Sequence, residues 1–176
     1  MVRPLQAAPG GFTHLFVTID KFTKWIEAKP VVKITAGKAK EFFQDIVVRF
    51  GVPNKIITDN GTQFTGKEFQ DWCEELGIKI CYTSVAHPQS NGQVERANGM
   101  MLQGIKTRVF DRLRPYAGKW VKELPSVLWA LRTTPSKETG ESPFFLTYGS
   151  EAVLPTELQF GSPRVRSYSE KQSEDS

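Results

Sequence analysis

Hydrophobic and polar positions alternate from Phe12 to Asp20, in a stretch rich in aromatic and β-branched residues, and a second such stretch runs from Trp25 to Val32. With only Lys21-Phe22-Thr23-Lys24 between them, the two predict a β-hairpin. The period then changes. Thr35 is placed to cap a helix over 36–50, in which Ala39, Phe42, Phe43, Ile46, Val47 and Phe50 share one stripe, closed by Gly51 and Pro53. A buried strand is expected from Lys55 to Thr58. Thr65 then reads as the cap of a second helix, with Phe69, Trp72, Cys73 and Leu76 at helical spacing and Gly77 as its stop. Ile78 to Tyr82 reads as a further short strand.

The next stretch, with His87-Pro88 and Ser90-Asn91-Gly92, is a polar loop with little to bury. A long helix is expected from Gly92 or Gln93 to about Leu113, with Pro115 marking its break. Another, from Lys119 to Leu131, carries Trp120, Leu124, Val127, Leu128 and Leu131 and is kinked at Pro125. Because the first strands pair as a hairpin, the element order gives a mixed α/β layer and not a regular βαβ array. We expect one domain over 1–160 and a Ser-rich, charge-balanced, disordered tail over 161–176.

Composition adds little but excludes much. A chain of 176 residues with 39% hydrophobic and 24% charged residues builds a real core, against disordered or fibrous readings. The net charge of +4 permits a polyanionic partner without demanding one. Cys73 and Cys81 are spaced unlike a zinc knuckle and are too few for a disulfide framework, which points to a reducing compartment. No apolar run approaches the roughly 18 residues of a bilayer span, and Met1-Val2-Arg3-Pro4-Leu5-Gln6 lacks the order of a secretory signal.

Two acids draw attention by position. Asp59 follows the predicted strand Lys55-Ile56-Ile57-Thr58, at the strand end where open α/β sheets place ligands; Asp59-Asn60-Gly61 is equally a turn. Glu95 lies on the first turns of the long helix, able to aim across at a strand end, or simply to interact with the helix dipole. Thirty-five residues separate them.

That spacing, with Ile57-Thr58-Asp59-Asn60-Gly61-Thr62-Gln63-Phe64, His87-Pro88-Gln89-Ser90-Asn91-Gly92-Gln93-Val94-Glu95-Arg96, Ser142-Pro143-Phe144 and Tyr148-Gly149, resembles the catalytic core of retroviral and gypsy-type retrotransposon integrases. Phe16 to Asp20 and Thr23-Lys24-Trp25 resemble the family's second strand and its exit. The resemblance implies a ribonuclease-H-like α/β fold and a triad of two Asp and one Glu. Asp59 and Glu95 would be catalytic and metal-binding, holding Mg²⁺ or Mn²⁺ for in-line transfer at DNA phosphodiesters.

The first Asp of the family triad is expected on a strand-one segment just ahead of residue 1, since Met1-Val2-Arg3-Pro4-Leu5 resembles the family segment on the C-terminal side of that acid. The first strand would then be truncated and the site impaired. Asp20 matches an acid at the far end of the second strand instead. An antiparallel hairpin closing around Gln6 to Gly11 would carry Asp20 several residues past the position opposite that missing acid, at about 3.3 Å per residue.

Charge bears on DNA independently. Residues 96–122 hold Arg96, Lys106, Arg108, Arg112, Arg114, Lys119 and Lys122 against Asp111 alone, a local net of +6; a solvated helix face is the plain alternative. Lys106 shares a helical face with Glu95, about 16 Å further along at 1.5 Å per residue, within reach of a phosphate. The resemblance adds Asn91 as a residue near the DNA end, and Asn60 is placed to bond DNA backbone or its own turn. His87 reads as a loop-ordering residue. Trp25, Trp72, Trp120 and Trp129 read as core or interface. The function expected is DNA integration by a polyprotein's integrase core, intracellular and nuclear, with DNA as partner and homo-oligomers possible. The alternative is a non-catalytic remnant that binds nucleic acid or a protein.

Overall fold

The computed structural model describes residues 5–83, 93–161 and 163, with backbone alone for 93–98. Its elements are β1 (His14–Ile19), β2 (Ile26–Val31), α1 (Ala36–Phe50), β3 (Lys55–Asp59), α2 (Thr62–Thr65), α3 (Lys67–Glu75) and β4 (Lys79–Thr83). These are followed by α4 (Gln93–Leu113), a 3₁₀ segment (Arg114–Lys119), α5 (Trp120–Thr133), α6 (Pro143–Tyr148) and α7 (Pro155–Phe160). The chain divides into two compact units. One holds residues up to Asp20 and Ile26–Ala130; the other holds Lys21–Trp25 and the chain from Leu131 onward.

In the first unit β1 and β2 pair antiparallel, from His14 opposite Val31 to Ile19 opposite Ile26. The predicted closure around Gln6 to Gly11 is present as an Ala8–Phe12 bridge, with Leu5 N–H donating to Thr13 O at 2.8 Å. β3 and β4 pair in parallel, Lys55 opposite Lys79 and Asp59 opposite Thr83. Parallel neighbours require a crossover, which α2 and α3 supply.

One core joins both ladders: Phe16 and Val31 from the hairpin, Ala39, Phe42 and Phe43 from α1, Ile56 from β3, Phe69, Trp72 and Cys73 from α3, and Ile78. Burial pushes the Cys73 thiol up to about 11, so it behaves as a small apolar group here. On the other side of α1, Asp45 and Arg49 reach β2, pairing with Lys29 and Glu27 at 2.7 Å each. Phe50, expected on the buried stripe, is 43% exposed because Gly51 (φ 88) turns the chain away there.

Thr35 caps α1 as expected, its hydroxyl accepting from Lys38 N. Thr65 does not cap the next helix. It ends α2, and Gly66 is the N-cap of α3. The reason is a close approach: a Cβ on Gly66 would lie 2.8 Å from the Ala36 Cβ of α1, so the chain bends at the one residue without a side chain. Leu76 likewise leaves the expected stripe, 39% exposed beside the left-handed Gly77.

Trp120 is fully buried at the start of α5, and its indole N–H donates to Gln6 O at 2.9 Å. Gly118 lies so close to Ala7 that a Cβ there would sit 3.1 Å from its carbonyl oxygen. The N-terminal hairpin is thus fastened to the helical half of the unit. Pro125 is accommodated within α5. Trp25 and Trp72 are also buried, whereas Trp129 is 40% exposed.

In the second unit, Trp25 meets Tyr148 edge-on at 5.5 Å and Phe144 at 6.2 Å, with the Arg132 guanidinium 4.3 Å above its ring. Ser142 caps α6, accepting from Phe145 N and donating to Glu151, while Pro143 takes the first helical position and left-handed Gly149 ends the helix. The sequence block Ser142-Pro143-Phe144 with Tyr148-Gly149 is therefore a complete set of helix-end signals around an aromatic anchor. The tail expected over 161–176 lies almost wholly outside the described residues.

Trp120→Ala is expected to destabilise the chain by about 3–5 kcal/mol. Trp120→Phe, which keeps most of the ring but orphans the Gln6 carbonyl, should cost about 1–3 kcal/mol. Urea unfolding midpoints of the two variants measure the difference.

Candidate active site

The site is built from the end of β3. Ile56 and Thr58 point into the buried layer, which leaves Asp59, the last residue of the strand, at the sheet's C-terminal edge. Thr83, its opposite number on β4, is buried and donates to Thr58 O at 3.3 Å, tying the two strand ends together. Tyr82 donates to Phe64 O at 3.0 Å and accepts from Gln70, which pins α2 and α3 to the same edge.

The run Asp59 to Phe64 has a physical reading residue by residue. Asp59 Oδ1 accepts from Gly61 N at 3.1 Å, so the turn reading and the acid-at-strand-end reading are both realised by one side chain. Gly61 has ordinary φ, and a Cβ there would meet only the end of the flexible Gln63 side chain, at 2.5 Å, so that Gln63 would have to swing aside. Phe64 then turns inward, 5.5 Å from Phe69 and 6.3 Å from Phe16. Asn60 stands exposed beside Asp59.

Helix α4 brings the remaining group. Ile105, Val109, Phe110 and Leu113 are buried, and the helix packs on β1, β3 and β4. Between the first two of these, Lys106 extends to the strand end and its Nζ donates to Asp59 Oδ2 at 2.6 Å, with both side chains about 30% exposed. Burial works to raise the Asp59 pKa, but the hydrogen bond and charge of Lys106 and the Gly61 amide outweigh it, holding the carboxyl below the usual aspartate range. Asp59 is an ionised, hard oxygen donor with one lysine on one oxygen and one backbone amide on the other.

Sequence reasoning placed Lys106 about 16 Å beyond Glu95 and within reach of a DNA phosphate; the structure instead pairs it directly with Asp59. The only signal for that pairing was their opposite charge, which by itself names no partner. Glu95 lies on the first turn of the same helix, 11 residues before Lys106; its side chain, and with it any convergence on Asp59, is outside the described residues, as are Asn91 and His87. Asp20 is exposed, one residue beyond β1, and among the described residues no group of three His, Cys, Asp or Glu is gathered as for a metal ion.

Arg108, Arg112, Arg114, Lys119 and Lys122 are all exposed or half-buried, away from the buried stripe of α4 and α5. Asp111 engages Arg114 at 3.2 Å, a surface pair that screens little of the run's charge.

Residues 2–88 match the family described as Integrase core domain. The Gag-Pol polyprotein of avian reticuloendotheliosis virus is 40% identical over 144 residues, covering 81% of this chain and 12% of that protein. The Gag-Pol polyprotein of feline leukemia virus is 36% identical over 148 residues, covering 82% and 8%. The chain thus spans a small part of the curated relatives it matches. Among solved structures, the simian T-cell lymphotropic virus intasome in complex with PP2A regulatory subunit B56 gamma aligns with TM-score 0.60 at 24% identity, over 88% of this chain and 54% of that one. The HTLV-2 integrase catalytic core domain in complex with magnesium aligns with TM-score 0.50 at 25% identity, over 74% and 81%. With its strand-end acid, its helix-borne partners and these matches, the chain belongs to the integrase core-domain family of retroviral Pol polyproteins and has the ribonuclease-H-like fold.

Proposed function

We propose that this chain carries the catalytic face of a DNA-integrating polynucleotidyl transferase, dependent on Mg²⁺ or Mn²⁺. The observation that carries the reading is Asp59: an ionised carboxylate at the C-terminal end of a parallel strand, facing the helix that bears Glu95. Its donor chemistry fits a hard divalent ion, and a related core was solved in complex with magnesium. When bound, such ions stabilise charge on the attacking and leaving oxygens of a phosphodiester. Asp59 and Glu95 would hold them, one from a strand end fixed by the core and one from a helix start.

The chain's other residues bind and orient. Asn60, exposed beside Asp59, and Asn91, in the stretch before Glu95, offer amide donors to DNA backbone. Arg108, Arg112, Arg114, Lys119 and Lys122 form a basic face for phosphates, which fixes position without reading sequence. DNA and further copies of the chain are the partners this reading calls for, and the nucleus is where it would act. A non-catalytic chain that binds nucleic acid or protein is the competing reading, favoured by the Lys106 cation already seated on Asp59.

In the chain extended upstream by a strand-one segment with Asp directly before Met1, Asp59→Asn and Glu95→Gln should each remove strand transfer while leaving DNA affinity within about threefold, measured on the same preparations; unchanged transfer in either variant defeats the assignment. DNA binding should weaken steeply with salt, each neutralised phosphate adding about −0.9 to the log–log slope. Arg108→Ala and Arg112→Ala should each lower that slope by about one on unrelated sequences alike, and absence of binding at low salt would show that the basic face is not a DNA surface.

In the family scheme a third carboxylate shares the ions. Adding an upstream segment with Asp directly before Met1 is expected to raise Mn²⁺ affinity, and the same segment with Asn is not. Calorimetric titration of the two forms decides whether that position belongs to the site.

A further inference from the structure

Both oxygens of Asp59 are engaged. Oδ1 holds the Gly61 amide, an in-turn contact that can persist with an ion bound; Oδ2 holds the Lys106 ammonium at 2.6 Å. An Mg²⁺ ion binds a carboxylate oxygen at about 2.1 Å, so an ion on Oδ2 with Lys106 still in place would put two cations within about 5 Å of each other across a single oxygen. The two cations repel one another there and compete for the same oxygen.

Lys106 is built to be the one that leaves. Its backbone is held, because its neighbour Ile105 and, three residues on, Val109 are buried against the sheet. Its ammonium is a point charge on a four-carbon stem, able to swing without moving the helix. At 30% side-chain exposure it has solvent to swing into, on the helix that also carries exposed Arg108 and Arg112. An arginine here would offer a rigid two-pronged grip on the carboxylate and would release less readily.

From this geometry we infer that Lys106 is a tethered competitor for the divalent ion at Asp59: its ammonium takes the ion's place on Oδ2, and ion binding frees it for a phosphate of the bound nucleic acid. Lys106 is thus a positioning residue that couples two ligands. Whatever frees Lys106 raises the affinity for a phosphate there, and a phosphate that draws Lys106 away raises the affinity for the ion by the same factor. The Asp59 carboxylate is also spared from standing without a counter-charge at a part-buried strand end before the ion arrives. The inference rests on Asp59 being a metal ligand, and its test separates the two.

The test is Mn²⁺ titration of the full chain, of Lys106→Gln, of Lys106→Arg and of Asp59→Asn, reading calorimetric affinity and paramagnetic broadening of the Gly61 amide NMR signal. The uncharged Lys106→Gln should bind Mn²⁺ about three- to tenfold more tightly, the worth of roughly one part-exposed charge-assisted hydrogen bond. Lys106→Arg should bind no more tightly than the parent, and Asp59→Asn should lose the Gly61 broadening. Equal affinity in Lys106→Gln and the parent, with broadening still lost in Asp59→Asn, overturns the competition and leaves the metal site standing. No Gly61 broadening in either overturns both. Should Lys106→Gln fold poorly, the parent alone decides: the Lys106 Cε resonance should shift as diamagnetic Mg²⁺ is added, and Gly61 broadening by Mn²⁺ with no such shift overturns the inference.

Discussion

Phe69 is the point on which the strand end depends. Fully buried on α3, it touches Phe43 of α1, Phe64 of α2 and Trp72 one turn on, so the two helices of the crossover and the helix before it share a single aromatic contact surface. Burying one such ring contributes about 1.5–3 kcal/mol, whereas an ion pair at about 30% exposure contributes about 1 kcal/mol or less. Packing therefore sets the position of Asp59, and the pairing with Lys106 follows from it. By this ordering the position of the carboxylate does not depend on its pairing with the lysine.

The glycines around the site show the same constraint from the other side. Gly66 lets α3 start against Ala36, and Gly61 lets Gln63 fold back over the turn that holds Asp59 Oδ1. Neither has an unusual φ; at Gly66 the requirement is space beside Ala36 and the Thr62 carbonyl, whereas at Gly61 the neighbour is a side chain able to move. An acid at a strand end next to such a turn has one oxygen committed to local structure and one directed outward. That second oxygen is the one Lys106 takes.

Helix α4 serves two duties on two faces. Its stripe of Ile105, Val109, Phe110 and Leu113 is consumed by packing on both strand ladders, which leaves Arg108 and Arg112 outward, followed by exposed Arg114 and Lys119 of the 3₁₀ segment and Lys122 of α5. A helix so anchored carries charge both to the sheet edge and to the outward surface, and Lys106 sits at the border between the two.

Much of this was legible in the sequence because it is local. The hairpin, the Thr35 cap, the stripe of α1 and the span of α4 follow from period and end signals within a few residues. The strand-end position of Asp59 was legible because the apolar run Ile56-Ile57 and the Asn60-Gly61 turn flank it. The start of α3 at Gly66 instead of Thr65 was decided by the approach of Ala36, thirty residues away, and the fastening of Trp120 to Gln6 by a contact across 114 residues. The Lys106–Asp59 pair spans 47 residues. Composition and periodicity say which residues are charged and which face a helix buries, but which cation meets which carboxylate is fixed only when packing sets the distance, because electrostatic pairing depends on separations of a few ångströms that a linear sequence does not contain.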